Sequence, residues 1–162
     1  MVNAKHIPIR TIVAIRPSYG HKASGPLRYT HYWLGMVLDE ARKQGYKVID
    51  IRDNMATGEN VNQRLREALM GGPVFILGSG HGHSSEFTGH ALDPIFDMKT
   101  NIDLMGSPVY LMSCKTGAGL GRYLVEKCNA SAFLGYDKSY YILSDSIAEL
   151  EFDPAVQSYM QM

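Results

Sequence analysis

Along this chain, short uninterrupted apolar runs alternate with stretches whose apolar residues recur every three to four positions. Thr11-Ile-Val-Ala-Ile15 is β-branched or apolar at consecutive positions, the pattern of a strand covered on both faces. Arg16 to Tyr29 (RPSYGHKASGPLRY) holds two prolines and two glycines and reads as a loop; loops of that length are usually functional or mobile. Thr30 is the expected cap of a helix running to about Gln44. Within it Trp33, Val37 and Ala41 recur at helical spacing, and Gly45 is its stop. Lys47-Val-Ile-Asp-Ile51 is a second strand, and Asn60 precedes a helix over Val61 to Met70 that ends at Gly71-Gly72. Pro73 opens a third strand, Val74-Phe-Ile-Leu77, which runs into a polar, glycine-rich segment, GSGHGHSSEFTGH. Ile95 to Leu104 is weakly patterned. Pro108 opens a fourth strand, Val109-Tyr-Leu-Met112, followed by a helix from about Gly119 to Lys127 and a fifth strand, Ala132-Phe-Leu-Gly-Tyr136. One more helix is expected between Asp137 and Met162.

Strands alternating with helices predict an α/β fold: three αβα layers around a mostly parallel sheet of about five to six strands. The 162 residues suit a single domain spanning the whole sequence, 1–162. Lys+Arg and Asp+Glu both number 16, so the basic excess that a phosphate backbone demands is missing and no nucleic-acid partner is expected. The longest apolar runs fall far below the roughly 18 residues of a membrane span, and Met1 to Arg10 has no apolar core of a secretory signal. No membrane partner is expected. Two cysteines, Cys114 and Cys128, make no disulfide framework and fit a reducing compartment, so the expected location is cytoplasmic.

Parallel α/β sheets place their sites at the carboxyl ends of strands, and the chemistry-bearing residues fall there. His81 and His83 follow the third strand and Cys114 follows the fourth. A thiol attacks only as thiolate and needs a base or cation beside it; histidine, with its pKa near neutral, can be that base. Small residues around both groups would let main-chain N–H groups of Gly82 and Cys114 approach a reacting carbonyl as an oxyanion hole. A helix N-terminus near Cys114 would favour the thiolate further. Composition and spacing alone leave open the plainer roles, a small buried cysteine and turn histidines.

The segment VFILGSGHGHSSEFTGH resembles the strand-then-His-Gly motif of the clan CD cysteine peptidases, which include caspases, legumains, clostripain, gingipains, separases and CHAT domains. PVYLMSCKTGAGLGRYLVEKCNASAFLGY resembles that clan's second motif, an apolar strand ending in a small residue and the catalytic cysteine, then a helix and a strand finishing near Gly-Tyr. Phe87-Thr88-Gly89 is most similar to the gingipain and CHAT branches. The resemblance covers mainly residues 73 to 136 and implies a caspase-like fold and a cysteine endopeptidase. It makes His81 the acid/base, Gly82 an oxyanion-hole donor and Cys114 both the nucleophile and the second donor. His83 is the alternative base, because Gly78-Ser79-Gly80 separates the apolar run from His81. Acid specificity of the caspase kind would draw on Arg16 or Arg28, and Arg or Lys specificity on Asp53, Glu86 or Asp137. Where several relatives carry an Asp two residues before the cysteine, Met112 stands here. The resemblance implies a protein or peptide substrate, no cofactor apart from activating calcium in some members, and a homo-oligomer or regulatory partner as a possibility. Only 48 residues follow Cys114, which implies a minimal member of the clan or a chain that continues past Met162.

Two other functional classes stand beside this one. His81, His83, His90 and Asp93 form a His-x-His cluster of the kind that binds zinc or another divalent ion, which would make a metal-dependent hydrolase. A catalytically inactive peptidase-like scaffold is the third. Lys115-Thr116-Gly117 resembles a phosphate loop in composition only, because its Lys and Thr precede the glycines.

Overall fold

The computed structural model describes residues 8–18 and 27–139; the side chain of Arg28 and the helix expected near the C-terminus lie outside the described residues. The elements are β1 (Thr11–Arg16), α1 (Leu27–Lys43), β2 (Lys47–Arg52), α2 (Gly58–Leu69), β3 (Phe75–Ser79), β4 (His81–His83), β5 (Glu86–Thr88), β6 (Pro94–Asp97), β7 (Pro108–Met112), α3 (Leu120–Lys127) and β8 (Ala132–Gly135). Five strands form the central sheet in the order β2-β1-β3-β7-β8, and all four of its pairings are parallel. The fold is α/β, as the alternation predicts. Among the described residues no helix is long and apolar enough to cross a membrane.

Strand alternation divides the sheet into two faces. Ile12, Ala14 and Leu77 meet Leu34 and Leu38 of α1 on one face, with Phe75, Tyr110 and Met112 packed against them. Val13, Ile15, Ile76, Val109 and Leu111 face the other way, against Val61, Leu65 and Leu69 of α2 and Leu120 and Leu124 of α3. One helix on one side and two on the other make three layers, and every functional residue below can be assigned to a face.

Several local expectations change. Thr57, not Asn60, caps α2: its side chain accepts the Asn60 N–H. Thr30 lies inside the first turn of α1 instead of capping it, and its hydroxyl donates to the Leu27 carbonyl. The glycine-rich segment after β3 and the weakly patterned stretch beyond it are not loops throughout. They fold into a second sheet, β4-β5-β6, with antiparallel pairings. Its strands have three or four residues each, too short to display a period-2 signal. Gly82 pairs with Phe87 and Phe87 with Phe96. The two fully buried phenylalanine rings stack with centroids 6.4 Å apart, fastening this hairpin sheet to the α2/α3 side of the core.

The α1 side carries a buried ion pair. Arg16, 7% exposed, donates from Nε and a terminal nitrogen to the two carboxylate oxygens of Asp50, at 2.7 and 2.6 Å. Its remaining amino group meets the His31 carbonyl at 3.2 Å and His31 Nε2 at 3.1 Å. Arginine can only donate, so His31 Nε2 accepts and Nδ1 carries the proton, which goes to the Arg16 carbonyl at 3.0 Å. Desolvation, then the Arg16 charge, pushes the His31 pKa below its ordinary value, in keeping with this neutral tautomer. The guanidinium thus ties β1, β2 and α1 together. Removing one partner of a buried pair strands the other charge, at a cost of about 3–5 kcal/mol. Asp50→Ala is therefore expected to lose stability in that range in urea unfolding; a loss below about 1 kcal/mol would contradict this role.

Candidate active site at the β3 and β7 strand ends

The ladder between β3 and β7 joins Ile76 to Val109, Leu77 to Tyr110, Gly78 to Leu111 and Ser79 to Met112, a constant offset of 33 residues. His81 and Cys114 are separated by the same 33 positions. The β3–β7 register thus aligns the two strand ends from which His81 and Cys114 emerge. Gly80 N–H donates to the Met112 carbonyl at 3.4 Å, carrying the pairing one residue beyond β3. The interval that kept His83 open as a base also shortens. Gly78 and Ser79 belong to β3, so a single residue, Gly80, separates that strand from His81.

The same alternation gives the two strands a shared face. Phe75, Leu77 and Ser79 of β3 and Tyr110 and Met112 of β7 point toward α1, so the α1 face leads to both strand ends. Ser79 is fully buried, and its hydroxyl donates to Thr30 of α1 at 2.7 Å. Ser113 lies on the opposite face, 2.8 Å from where a Cβ on Gly82 would fall.

That opposite face carries three alternate glycines. A Cβ at Gly78 would lie 2.5 Å from Leu111 and 3.0 Å from the Phe87 ring, and one at Gly80 would lie 2.7 Å from the Thr88 carbonyl. A Cβ at Gly82 would lie 2.7 Å from the Cys114 carbonyl oxygen and 2.7 Å from Thr116 Cγ2. Hydrogen at these positions lets the chain around His81 press directly on the Cys114 turn. The turn is pinned from within: the Ser113 hydroxyl donates to Thr116 Oγ1 at 3.1 Å, and the Thr116 hydroxyl reaches the Ser113 carbonyl at 3.3 Å. The segment just past β8 pins it from outside, with Lys115 N–H donating to the Lys138 carbonyl at 3.2 Å and Gly117 N–H to the Tyr136 carbonyl at 2.8 Å. Lys115 itself adopts a left-handed conformation, φ 60°, which a non-glycine residue holds only where its surroundings enforce it.

Cys114 is partly exposed and Cys128 buried, and neither is in a disulfide. Desolvation of its ring lowers the His81 pKa, although the residue as a whole is exposed, which favours the neutral imidazole. His83 is exposed, on the same face of β4, with Nδ1 3.2 Å from the Ser84 hydroxyl. Burial raises the Cys128 thiol pKa, and its Sγ contacts the Thr100 carbonyl at 3.4 Å; this is an inert core thiol. The helix terminus expected at Cys114 is displaced. One turn of 3-10 helix, Thr116–Ala118, intervenes before α3, and Leu120 N–H at the start of α3 donates to the Ser84 carbonyl at 2.7 Å.

The specificity candidates scatter. Arg16 is consumed by Asp50 and His31, so it offers no unpaired cation to a substrate acid. Asp53 lies 3.8 Å from Arg52 and 4.0 Å from His31, at the β2 end. Glu86 is half-buried on β5, in register with His83 on one side and Asp97 on the other. Asp137 is exposed just past β8, and Arg28 lies outside the described side chains. The proposed metal set comes apart as well. The Asp93 carboxylate accepts the Gly58 N–H at 2.6 Å, and the His90 main-chain N–H donates to the Ala56 carbonyl at 2.7 Å, which holds both residues where the β5–β6 connection meets the start of α2. Among the described residues no three His, Cys, Asp or Glu side chains are grouped to hold a metal ion. What sequence reasoning passed over was the glycine alternation Gly78, Gly80, Gly82 and the Ser113/Thr116 and Ser79/Thr30 hydroxyl pairs; the first was readable as a period-2 stripe.

No protein-family model, no curated protein and no solved structure matches this chain.

Two predictions follow from this geometry. Gly82→Ala must push the Cys114 turn away and is expected to cost about 1–3 kcal/mol and to shift the amide resonances of residues 113–116. Gly71→Ala, whose Cβ would meet nothing closer than 3.5 Å, should leave both unchanged; equal behaviour of the two variants would contradict the close approach. For His81, a lowered folded pKa means that the unfolded chain binds the proton more readily, so this group's contribution to stability rises with pH across the interval below the ordinary value near 6.5. An NMR titration of the His81 ring should give a midpoint below 6.5, and one above it would show that desolvation does not govern the ring.

Proposed function

We propose that this chain is a cysteine hydrolase of peptide bonds, an endopeptidase similar to those of clan CD, acting through Cys114 and His81. The observation that carries the reading is the β3–β7 register, with its 33-residue offset matching the separation of His81 from Cys114. A thiol and an imidazole at the carboxyl edge of a parallel sheet suit acyl transfer.

On this reading, the Cys114 sulfur passes its proton to neutral His81 and attacks the scissile carbonyl. The oxygen takes on negative charge beside main-chain N–H groups of Gly82 and Cys114, and interactions of that kind contribute roughly 3–4 kcal/mol per donor. The C–N bond breaks as the His81 imidazolium gives its proton to the leaving amine. Water then attacks the thioester, with neutral His81 taking its proton and returning it to the sulfur. The close approach of the Gly82 main chain to the Cys114 turn supports this assignment, since it brings the two segments together. A thiolate nucleophile also suits a reducing compartment, which favours a cytoplasmic setting.

The test is covalent capture with a library of peptidyl acyloxymethyl ketones, read by intact mass and peptide mapping. The adduct is expected on Cys114, absent in Cys114→Ala, and formed at least about 100-fold more slowly in His81→Ala, with a much smaller effect in His83→Ala. Capture at Cys128, or equal rates in the His81→Ala variant and the parent, would overturn the assignment. A larger loss in His83→Ala than in His81→Ala would transfer the acid/base role to His83.

A further inference from the structure

A second feature lies on the α1 face, at the carboxyl ends of β1 and β2 and away from the Cys114 turn. A cleft of about 600 Å³ is lined by Arg16, His31, Tyr32, Gly35, Met36, Asp39, Arg42, Asp50 and Arg52. That volume falls in the range of small-molecule sites. Arg16 and Arg52 are direct lateral partners in the β1–β2 register, an arrangement in which like charges destabilise a sheet unless something answers them. Gly35 stands in the interior of α1, where glycine costs about 1 kcal/mol relative to alanine. A Cβ there would come within 3.2 Å of the Arg16 guanidinium, so glycine gives this charged wall its room.

Hydrogen bonding inside the cleft is lopsided. Asp50 already accepts at both oxygens from Arg16, and Asp39 accepts from Arg42 at 2.6 Å. On the donor side much is unspent. Arg42 reaches Asp50 with its second amino group only at 3.7 Å. Arg52 has an ion contact with Asp53 at 3.8 Å and no hydrogen bond among the described residues. The lining holds three arginines against two aspartates, with Asp53 outside it beside Arg52. Donor-rich and acceptor-poor, with cations that converge, the cleft has the chemistry of an anion receptor: guanidinium groups bind carboxylate and phosphate oxygens in a fork.

We infer that this cleft is a binding site for a small organic oxyanion, whose phosphate or carboxylate group is held by Arg42 and Arg52 and whose remainder rests against Tyr32 and Met36. The buried Arg16–Asp50 pair forms the floor and is not spent on the ligand. The site is independent of the Cys114 chemistry and stands or falls separately from it.

Titration calorimetry on the described chain, at about 0.15 M salt to screen non-specific attraction, tests this with inorganic pyrophosphate and with succinate as probes. One-to-one saturable binding of at least one probe is expected, and the better probe identifies phosphate or carboxylate as the recognised group. The Arg42→Ala and Arg52→Ala variants change partly exposed side chains and are each expected to weaken binding at least tenfold, about the loss of one charge-assisted contact. Amide shift mapping on the unaltered protein gives a second readout, with the largest changes expected at Tyr32, Gly35 and Arg52. No saturable binding of either probe by about 10 mM, where even weak sites of this energy would fill, would overturn the inference. Binding that survives in both variants, or shift changes centred elsewhere, would do the same.

Discussion

Parallel pairing of β3 with β7 is the constraint from which the rest of the site follows. In a parallel ladder the register is common to the whole pair, so fixing Ile76 against Val109 also fixes what stands past the strand ends. A slip of β7 by one residue against β3 would turn Val109 and Leu111 out of the α2/α3 core and send Tyr110 into it. The hydrophobic effect acting on the core therefore holds the alignment of the two strand ends from which His81 and Cys114 emerge.

Glycine supplies what burial alone cannot. Gly78, Gly80 and Gly82 lie on one face of the strand and its continuation, and each has heavy atoms within 3 Å of its missing Cβ. The Phe87 ring fills the space against the first two, and the Cys114 turn fills it against the third. Packing from Phe87 and Phe96 is thereby transmitted to the residues around His81, and the Ser113–Thr116 hydroxyl pair keeps the cysteine turn rigid from the other side. The left-handed Lys115 is held by its link to the Lys138 carbonyl. These contacts act on the main chain, so the segments that carry His81 and Cys114 are held by backbone packing.

The central sheet was legible because its inner strands β1 and β3 are buried along most of their length and its edges keep apolar runs. Thr11–Arg16, Lys47–Arg52 and Pro108–Met112 differ from their sequence-based limits by one residue at one end. Helix starts were harder. Thr30 and Asn60 have the composition of caps, but tertiary contacts place the starts three residues earlier for Leu27 and two earlier than Asn60 for Gly58. The β4-β5-β6 sheet escaped notice because strands such as His81–His83 and Glu86–Thr88 are shorter than any hydrophobic period, and a bulge between Phe87 and Thr88 breaks the phase. At the site, the sequence shows His81 and Cys114 at strand ends and leaves their alignment to be supplied by the register. It does not reveal that Arg16 is neutralised, since Asp50 becomes its partner only through the β1–β2 pairing and the side-chain fork. The apparent metal set failed for a related reason: closeness in sequence at His81, His83, His90 and Asp93 is undone by the hairpin sheet that carries His90 and Asp93 toward α2.

The alignment of residue 81 with Cys114 is the claim on which the active-site account rests, and a disulfide can read it directly. Bridging requires Cα atoms about 4.4–6.8 Å apart, and neighbouring strands lie about 4.8 Å apart. In a Cys128→Ser background, His81→Cys should form an intramolecular bridge to Cys114 under mild oxidation, found by peptide mapping without reduction. His83→Cys in the same background should bridge far more slowly. A thiol at position 81 that stays reduced while one at 83 couples readily to Cys114 would contradict the register and the pairing built on it.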